Sequence, residues 1–224
     1  MNTELARFNM IEQQIRPWDV LDQSVLSLLA TVRREDFVPP ALRALAFVDT
    51  QVPLIKGEAA GPAMLEPKVE ARLLQELQVQ RHETVLEVGT GSGFMAALLA
   101  HRSQHVYTLE CQASLVQMAR DNLQRNGVAN ATVLQVTAAQ GALGLPAEAP
   151  FDVIQLSGSV PEAPRVLLQQ LKVGGRLAAV VGDEPVMRAR LYTRASEAAW
   201  SERDLFDTVA PRLQGFAEPT RFHF

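Results

Sequence analysis

Cysteine is almost missing from this chain: Cys111 is the single one in 224 residues, so no internal disulfide can form. It reads as a small packed side chain rather than a reactive one. Basic excess is missing too. The formal net charge is −4, which gives no general attraction to nucleic acid or anionic lipid. No apolar run approaches the roughly 18 residues that span a bilayer, and nothing near Met1 reads as a signal peptide. A cytoplasmic chain with neither a membrane nor a nucleic-acid partner is expected. The histidines are few and scattered: His82, His101, His105 and His223, of which His101 and His105 straddle a helix-strand junction, so no metal is expected. No G-x-S-x-G elbow accompanies a matching acid and histidine, which leaves serine hydrolase chemistry without support. What remains is apolar bulk. With 47% hydrophobic composition the chain can bury one sizeable core, as befits one domain over 1–224.

The organising stretch is TVLEVGTGSGFMAALLA, from Thr84 to Ala100. Val85, Leu86 and Val88 suit a buried parallel strand, and Phe94, Ala97, Leu98 and Ala100 fall on helical spacing. Between them Gly89, Gly91 and Gly93, interleaved with Thr90 and Ser92, permit a sharp turn and bring a ligand close to bare backbone at a helix N-terminus. A dinucleotide fingerprint needs its third glycine at position 94, which holds Phe94, so a pyrophosphate ligand is disfavoured. G-x-G-x-G preceded by Glu87 instead resembles the first motif of class I S-adenosylmethionine-dependent methyltransferases. That resemblance implies an acidic Glu87 near the ammonium group of the ligand's methionine moiety. A second strand, His105 to Leu109, ends at Glu110, the usual place for a carboxylate that accepts both ribose hydroxyls. Cys111 follows it and falls near the same ligand.

In chain order, Asn2 to Ala30 suggests two helices broken at Pro17. RREDFVPP, Arg33 to Pro40, is an ordered connection that sends Phe37 and Val38 into the core. Phe47 to Pro67, with Gly57, Gly61 and three prolines, is expected to be a loop over the glycine-rich edge and a candidate lid. Helices are expected over Lys68–Leu77, Leu115–Leu123 (ending near Gly127) and Pro161–Leu171. Strands are expected over Ala131–Val136, Phe151–Leu156 and Arg176–Val181, with a terminal strand pair in Ala189–Ser196 and Asp204–Pro211. The alternation implies an α/β, doubly wound, mainly parallel sheet: N-terminal helices and lid in 1–67, cofactor-binding core in 68–224. Ser157-Gly158-Ser159 would stand at the carboxyl end of the fourth core strand, where ligands bind in such sheets.

MIEQQI, REDFVP, VLEVGTGSGF, APFDVI and LKVGGRLAAVVG together resemble the protein-L-isoaspartate O-methyltransferase family over most of Met10 to Gly182. The resemblance implies a class I methyltransferase fold, S-adenosyl-L-methionine as cofactor, and esterification of isoaspartyl carboxylates in a protein or peptide substrate. It also fits the thin catalytic inventory, because the acceptor carboxylate is its own nucleophile. Asp49, Glu66 and Asp152 remain unplaced candidates for a general base. The implied cofactor frame is Glu87, Gly89, Thr90, Gly91, Ser92, Gly93, Glu110, Cys111, Gln140 and Gly141. On the substrate or lid side stand Leu65, Glu66, Pro67, Ser157 and Ser159. Two segments depart from the family pattern. Ala63-Met64-Leu65-Glu66-Pro67 replaces Thr-Ile-Ser-x-Pro after an insertion around Ala59 to Pro62, so Leu65 loses the hydroxyl and Glu66 would repel an anionic acceptor if it faced the site. Ala139-Gln140-Gly141 replaces Gly-Asp-Gly, leaving the Gln140 carbonyl for the adenine amine. Ser157-Gly158-Ser159 replaces Thr-Ala-Ala. Weak isoaspartyl activity is therefore expected, with a different acceptor, or cofactor binding without catalysis, as alternatives.

Overall fold

The computed structural model describes residues 2–57 and 61–218, so His223 and the first part of the Ala59–Pro62 insertion lie outside the described residues. Helix α1, Thr3–Met10, is capped by Asn2, whose side chain accepts from the Leu5 N–H. It runs through a π-helical turn, Ile11–Ile15, into a 3-10 turn, Arg16–Trp18, that ends on left-handed Asp19 (φ 64°). Pro17 ends the helical run here as expected. Helix α2, Gln23–Thr31, starts on an Asp22 cap. Two 3-10 segments follow, Arg34–Asp36 and Pro40–Phe47; the second was not expected from the sequence. Between them Phe37 and Val38 are buried, Phe37 edge-on to Phe94 at 5.4 Å.

The expected lid loop carries a short antiparallel hairpin, β1 (Val52–Pro53) with β2 (Ala63–Met64). Helix α3, Pro67–Leu77, has Pro67 in its first turn, where the missing N–H costs nothing. The alternating core follows: β3 Thr84–Val88, α4 Phe94–Arg102, β4 His105–Glu110, α5 Ala113–Arg125, β5 Ala131–Gln135, α6 Ala138–Ala142, β6 Phe151–Val160, α7 Arg165–Leu168, β7 Leu171–Asp183, β8 Val186–Arg194 and β9 Trp200–Thr208. They form one seven-stranded sheet in the order β5-β4-β3-β6-β7-β8-β9. Pairing is parallel from β5 to β7 and antiparallel from β7 to β9. Among the described residues no helix is long and apolar enough to cross a membrane.

Two expectations are corrected. The helix expected over Pro161–Leu171 shrinks to Arg165–Leu168, because Pro164 is its cap and Pro161 supplies no amide donor, while Leu171 already pairs with Phe151 in the sheet. The terminal strand pair begins three or four residues before the expected Ala189 and Asp204, at Val186 and Trp200. The core lies on both faces of the sheet. One cluster joins Met10, Ile15, Phe37 and Leu73 to Val85 and Val106; the other joins Leu86, Leu109, Ile154 and Leu167. Residues from 1–67 and from the sheet thus share one apolar cluster. Gly93 is left-handed (φ 84°), and a Cβ there would come within 3.3 Å of Ala119, so this glycine lets α4 and α5 pack closely.

Candidate active site

The sheet order reverses between β3 and β6. From β3 the chain proceeds outward through β4 to β5, then returns to β6 on the other side, leaving a crevice at the carboxyl ends of β3 and β6. A cavity of about 460 Å³ occupies it, within the range of small-molecule sites. Its floor is the turn after β3. Gly89 (φ 92°) and Gly91 (φ 53°) adopt left-handed conformations that a side chain would strain, and the Gly89 N–H donates to Leu109 O at 2.9 Å. Both glycines line the cavity, as do Glu110, Cys111, Gly141 and Ser157. Leu54, Gly61, Pro62 and Ala63, from the hairpin and its loop, close one side.

Glu110 is oriented by backbone. Its Oε2 accepts from the Gly91 N–H at 2.9 Å, and Oε1 accepts from the Cys111 and Gln112 N–H groups at 2.8 and 3.0 Å. A carboxylate has about four acceptor positions, so it retains capacity for a ligand's hydroxyls. The Cys111 thiol is pushed up by burial and by the neighbouring Glu110, which keeps it protonated and unreactive.

A smaller inner pocket of about 30 Å³ shares Leu54, Ala63, Gly89, Gly91 and Ser157 with the main cavity. Leu65, Glu70, Glu87, Thr90 and Ser92 also line it. Glu87 is fully buried. The Ser157 hydroxyl donates to its Oε1 at 2.6 Å and the Thr108 hydroxyl to its Oε2 at 2.7 Å, with Thr90 joined to Thr108 at 2.6 Å. Burial nevertheless pushes the Glu87 carboxyl up to about 8, against the pull of the two hydroxyls and with the charges of Glu70 and Glu110 adding to it.

Several expected site residues fall elsewhere. Gly93 serves helix packing and does not line the cavities. Gln140 is exposed and turned back on α6: its Oε1 accepts from the Thr137 N–H at 2.9 Å while Thr137 caps the Gln140 N–H, a capping box that occupies the side chain. Ser159 is fully buried and lines neither cavity, its hydroxyl has no hydrogen-bond partner among the described residues, and its backbone N–H and C=O are taken up by residues 211 and 213. Glu66 precedes α3, half-buried outside both cavities, and accepts from Gln51 at 3.4 Å; Pro67 opens the helix. As for the other candidate bases, Asp49 is paired with Lys68 and Asp152 with Lys172 and the Thr84 N–H. Asp152 sits at the opposite, amino end of its strand.

Two features escaped the sequence reading. One is a strap after β9. The Ser159 N–H donates to Pro211 O at 2.8 Å, the Leu213 N–H donates to Ser159 O at 2.9 Å, and Pro211, Arg212, Leu213 and Gln214 line the main cavity as its roof. Gly158 makes this crossing possible, since a Cβ there would stand 2.8 Å from both Pro211 O and Leu213 Cδ2. The other is Glu70, buried at the inner pocket and ion-paired with buried Arg34. A charged residue on the apolar stripe of Leu73, Leu74 and Leu77 was its signal in the sequence.

Similar chains align along nearly this whole length. A Rhodopseudomonas palustris protein-L-isoaspartate O-methyltransferase is 37% identical over 214 residues, which cover 94% of this chain and 95% of the relative. One from Koribacter versatilis is 36% identical over 203 residues, covering 91% and 87%. In fold, the chain superposes on a Plasmodium falciparum protein solved in complex with S-adenosyl-L-homocysteine, with a TM-score of 0.76 at 20% identity, covering 93% of this chain and 98% of that one. With the model of the protein-L-isoaspartate(D-aspartate) O-methyltransferase family matching residues 6–209 as well, the chain belongs to that family.

Proposed function

We propose that this chain binds S-adenosyl-L-methionine in the main cavity and methylates carboxylates of isoaspartyl residues in proteins or peptides, acting as a single domain. The observation that carries this is one cavity in which the Gly89-Gly91 turn faces a backbone-oriented Glu110, inside a chain of that family. The donor set fits the cofactor. Glu110 would hold the ribose hydroxyls, Gly141 would border the base, and Glu87 would meet the ammonium group. The bound cofactor supplies a methyl group on a sulfonium, already activated for displacement by a carboxylate oxygen. The chain's own residues therefore need no general base. They orient the acceptor and exclude water: Leu54, Met64 and Leu65 wall the inner pocket with apolar surface, while the hairpin segment closes over it.

Leu65 offers no hydroxyl to the acceptor, and a hydrogen bond to a charged group is worth roughly 1.5 to 3 kcal/mol, or about ten- to a hundredfold in rate. Radiolabelled methyl transfer to an isoaspartyl peptide and its aspartyl twin tests this. Weak, isoaspartyl-selective transfer is expected, rising in Leu65→Ser; no transfer to the isoaspartyl peptide by either protein would refute the proposed substrate.

A proton should leave on cofactor binding. Glu87, raised to about 8, is mostly neutral at pH 7, and an ammonium group beside it favours the ionised form. Affinity should then rise with pH up to about 8, and calorimetry at pH 7 should give different enthalpies in phosphate and Tris buffers. Identical enthalpies, or a difference that persists in Glu87→Gln, would remove Glu87 from this role.

A further inference from the structure

Helix α3 buries Val69, Leu73, Leu74 and Leu77, and Glu70 lies among them at 5% exposure. An isolated carboxylate there would be costly, and the chain meets it with Arg34, itself 1% exposed, from the 3-10 turn Arg34–Asp36. The Arg34 guanidinium donates to Glu70, donates to the Leu65 carbonyl at 2.6 Å, and stands 5.1 Å from the Phe94 ring centroid. It is thus held between α3, the segment before it and α4. The Arg34 Nε has no hydrogen-bond partner among the described residues. Glu70 lines the inner pocket together with Leu65, Glu87 and Ser157, so two buried carboxyl groups border that pocket, and the adjacent cation is committed to one of them.

We propose that Glu70 is a specificity-determining residue: by neutralising Arg34 it withholds that cation from the acceptor carboxylate and so limits how well this site takes an anionic acceptor. The inference rests on the carboxyl-methylation function proposed above and names what restrains it. Among the described residues, the charged neighbours of Glu70 are Arg34, Glu66 just before α3 and Glu87 on β3; from α4, Phe94 and Met95 bring none, and Ser157 on β6 is neutral. Burial pushes Glu70 up to about 7, Arg34 pulls it down and Glu66 adds to the rise. Below pH 7 the carboxyl is mostly neutral and the Arg34 charge is left to act on the pocket. Above it the pair cancels.

The KM for an isoaspartyl peptide should therefore rise several-fold from pH 6 to pH 8, measured at saturating S-adenosylmethionine so that Glu87 titration does not enter. Glu70→Gln keeps the shape and leaves Arg34 charged: its KM at pH 8 should fall about tenfold, as expected for one uncancelled charge at partly screened range, and its pH profile should flatten. Arg34→Met/Glu70→Met removes both charges and repacks with apolar groups, so it keeps the test open should the single variant not fold; its KM should not depend on pH over this range. Wild-type transfer with a flat KM profile, or a folded Glu70→Gln or double variant with the wild-type profile, would overturn the inference alone. No transfer by any of the proteins at any pH would overturn the proposed substrate and the inference with it.

Discussion

Ending the chain after Ala210 should weaken S-adenosylhomocysteine binding about a hundredfold while leaving the sheet folded, an effect of about 3 kcal/mol. The strap supplies a full side of the cavity, from Pro211 to Gln214, and Leu213 is packed over the cavity floor so closely that a Cβ on Gly89 would lie 2.7 Å from its Cδ2. Losing the half-buried Leu213 removes on the order of 1 kcal/mol of apolar contact, less than the roughly 1.5 to 3 kcal/mol of a fully buried leucine, and opening the cavity to water weakens the polar contacts that remain. The sheet itself keeps all seven strands, which end at Thr208. Calorimetric titration of the shortened protein, with circular dichroism to establish folding, measures the effect. Gly158→Val gives an independent version, because its side chain would occupy the place of the Pro211 carbonyl and the Leu213 methyl. Wild-type affinity in the folded, shortened protein would show that the strap is not part of the site.

Replacing Arg34 by alanine should destabilise the fold by about 3 to 5 kcal/mol, because it leaves Glu70 buried without its cation. The loss also has a sign in pH. Glu70 is raised above its unfolded value of 4.5 to about 7 even with Arg34 present, so between those values the folded chain holds a proton that the unfolded chain has released. Stability contributed by this group falls as pH rises through that window. Without Arg34 the folded value climbs further, and the decline continues to higher pH. Urea denaturation should accordingly show a larger loss at pH 8 than at pH 5.5. A loss below about 1 kcal/mol, the same at both pH values, would mean that the pair is not uncompensated when broken.

How legible these features were depended on whether local or distant atoms decide them. Strands β3, β4 and β5 fall within a residue of their sequence bounds, because apolar runs closed by glycine or a polar terminus carry their own limits. Glu87 and Glu110 were legible for the same reason: each stands at or near the end of a strand whose register the glycines fix. Gln140 misled because a nearer partner, the Thr137 N–H, satisfies its carbonyl before any ligand can. Glu70, to which the sequence reading gave no role, borders the inner pocket, whereas the expected Glu66 does not. Pro67 starts α3, leaving Glu66 outside the turn and setting Glu70 on the face that points inward. The strap was illegible since no periodicity marks residues 211–214; their place is decided by backbone bonds to Ser159, more than fifty residues earlier in the chain.

The strap also orders events in time. During synthesis every strand of the sheet precedes it, so the crevice between β3 and β6 can form on an emerging chain while its roof is still inside the ribosome. Cofactor affinity would then appear late, once Pro211 to Gln214 are free to reach Ser159. Ligand capture by stalled nascent chains of increasing length would follow that step, and a chain broken off before it would emerge as a folded sheet that does not sequester the cofactor.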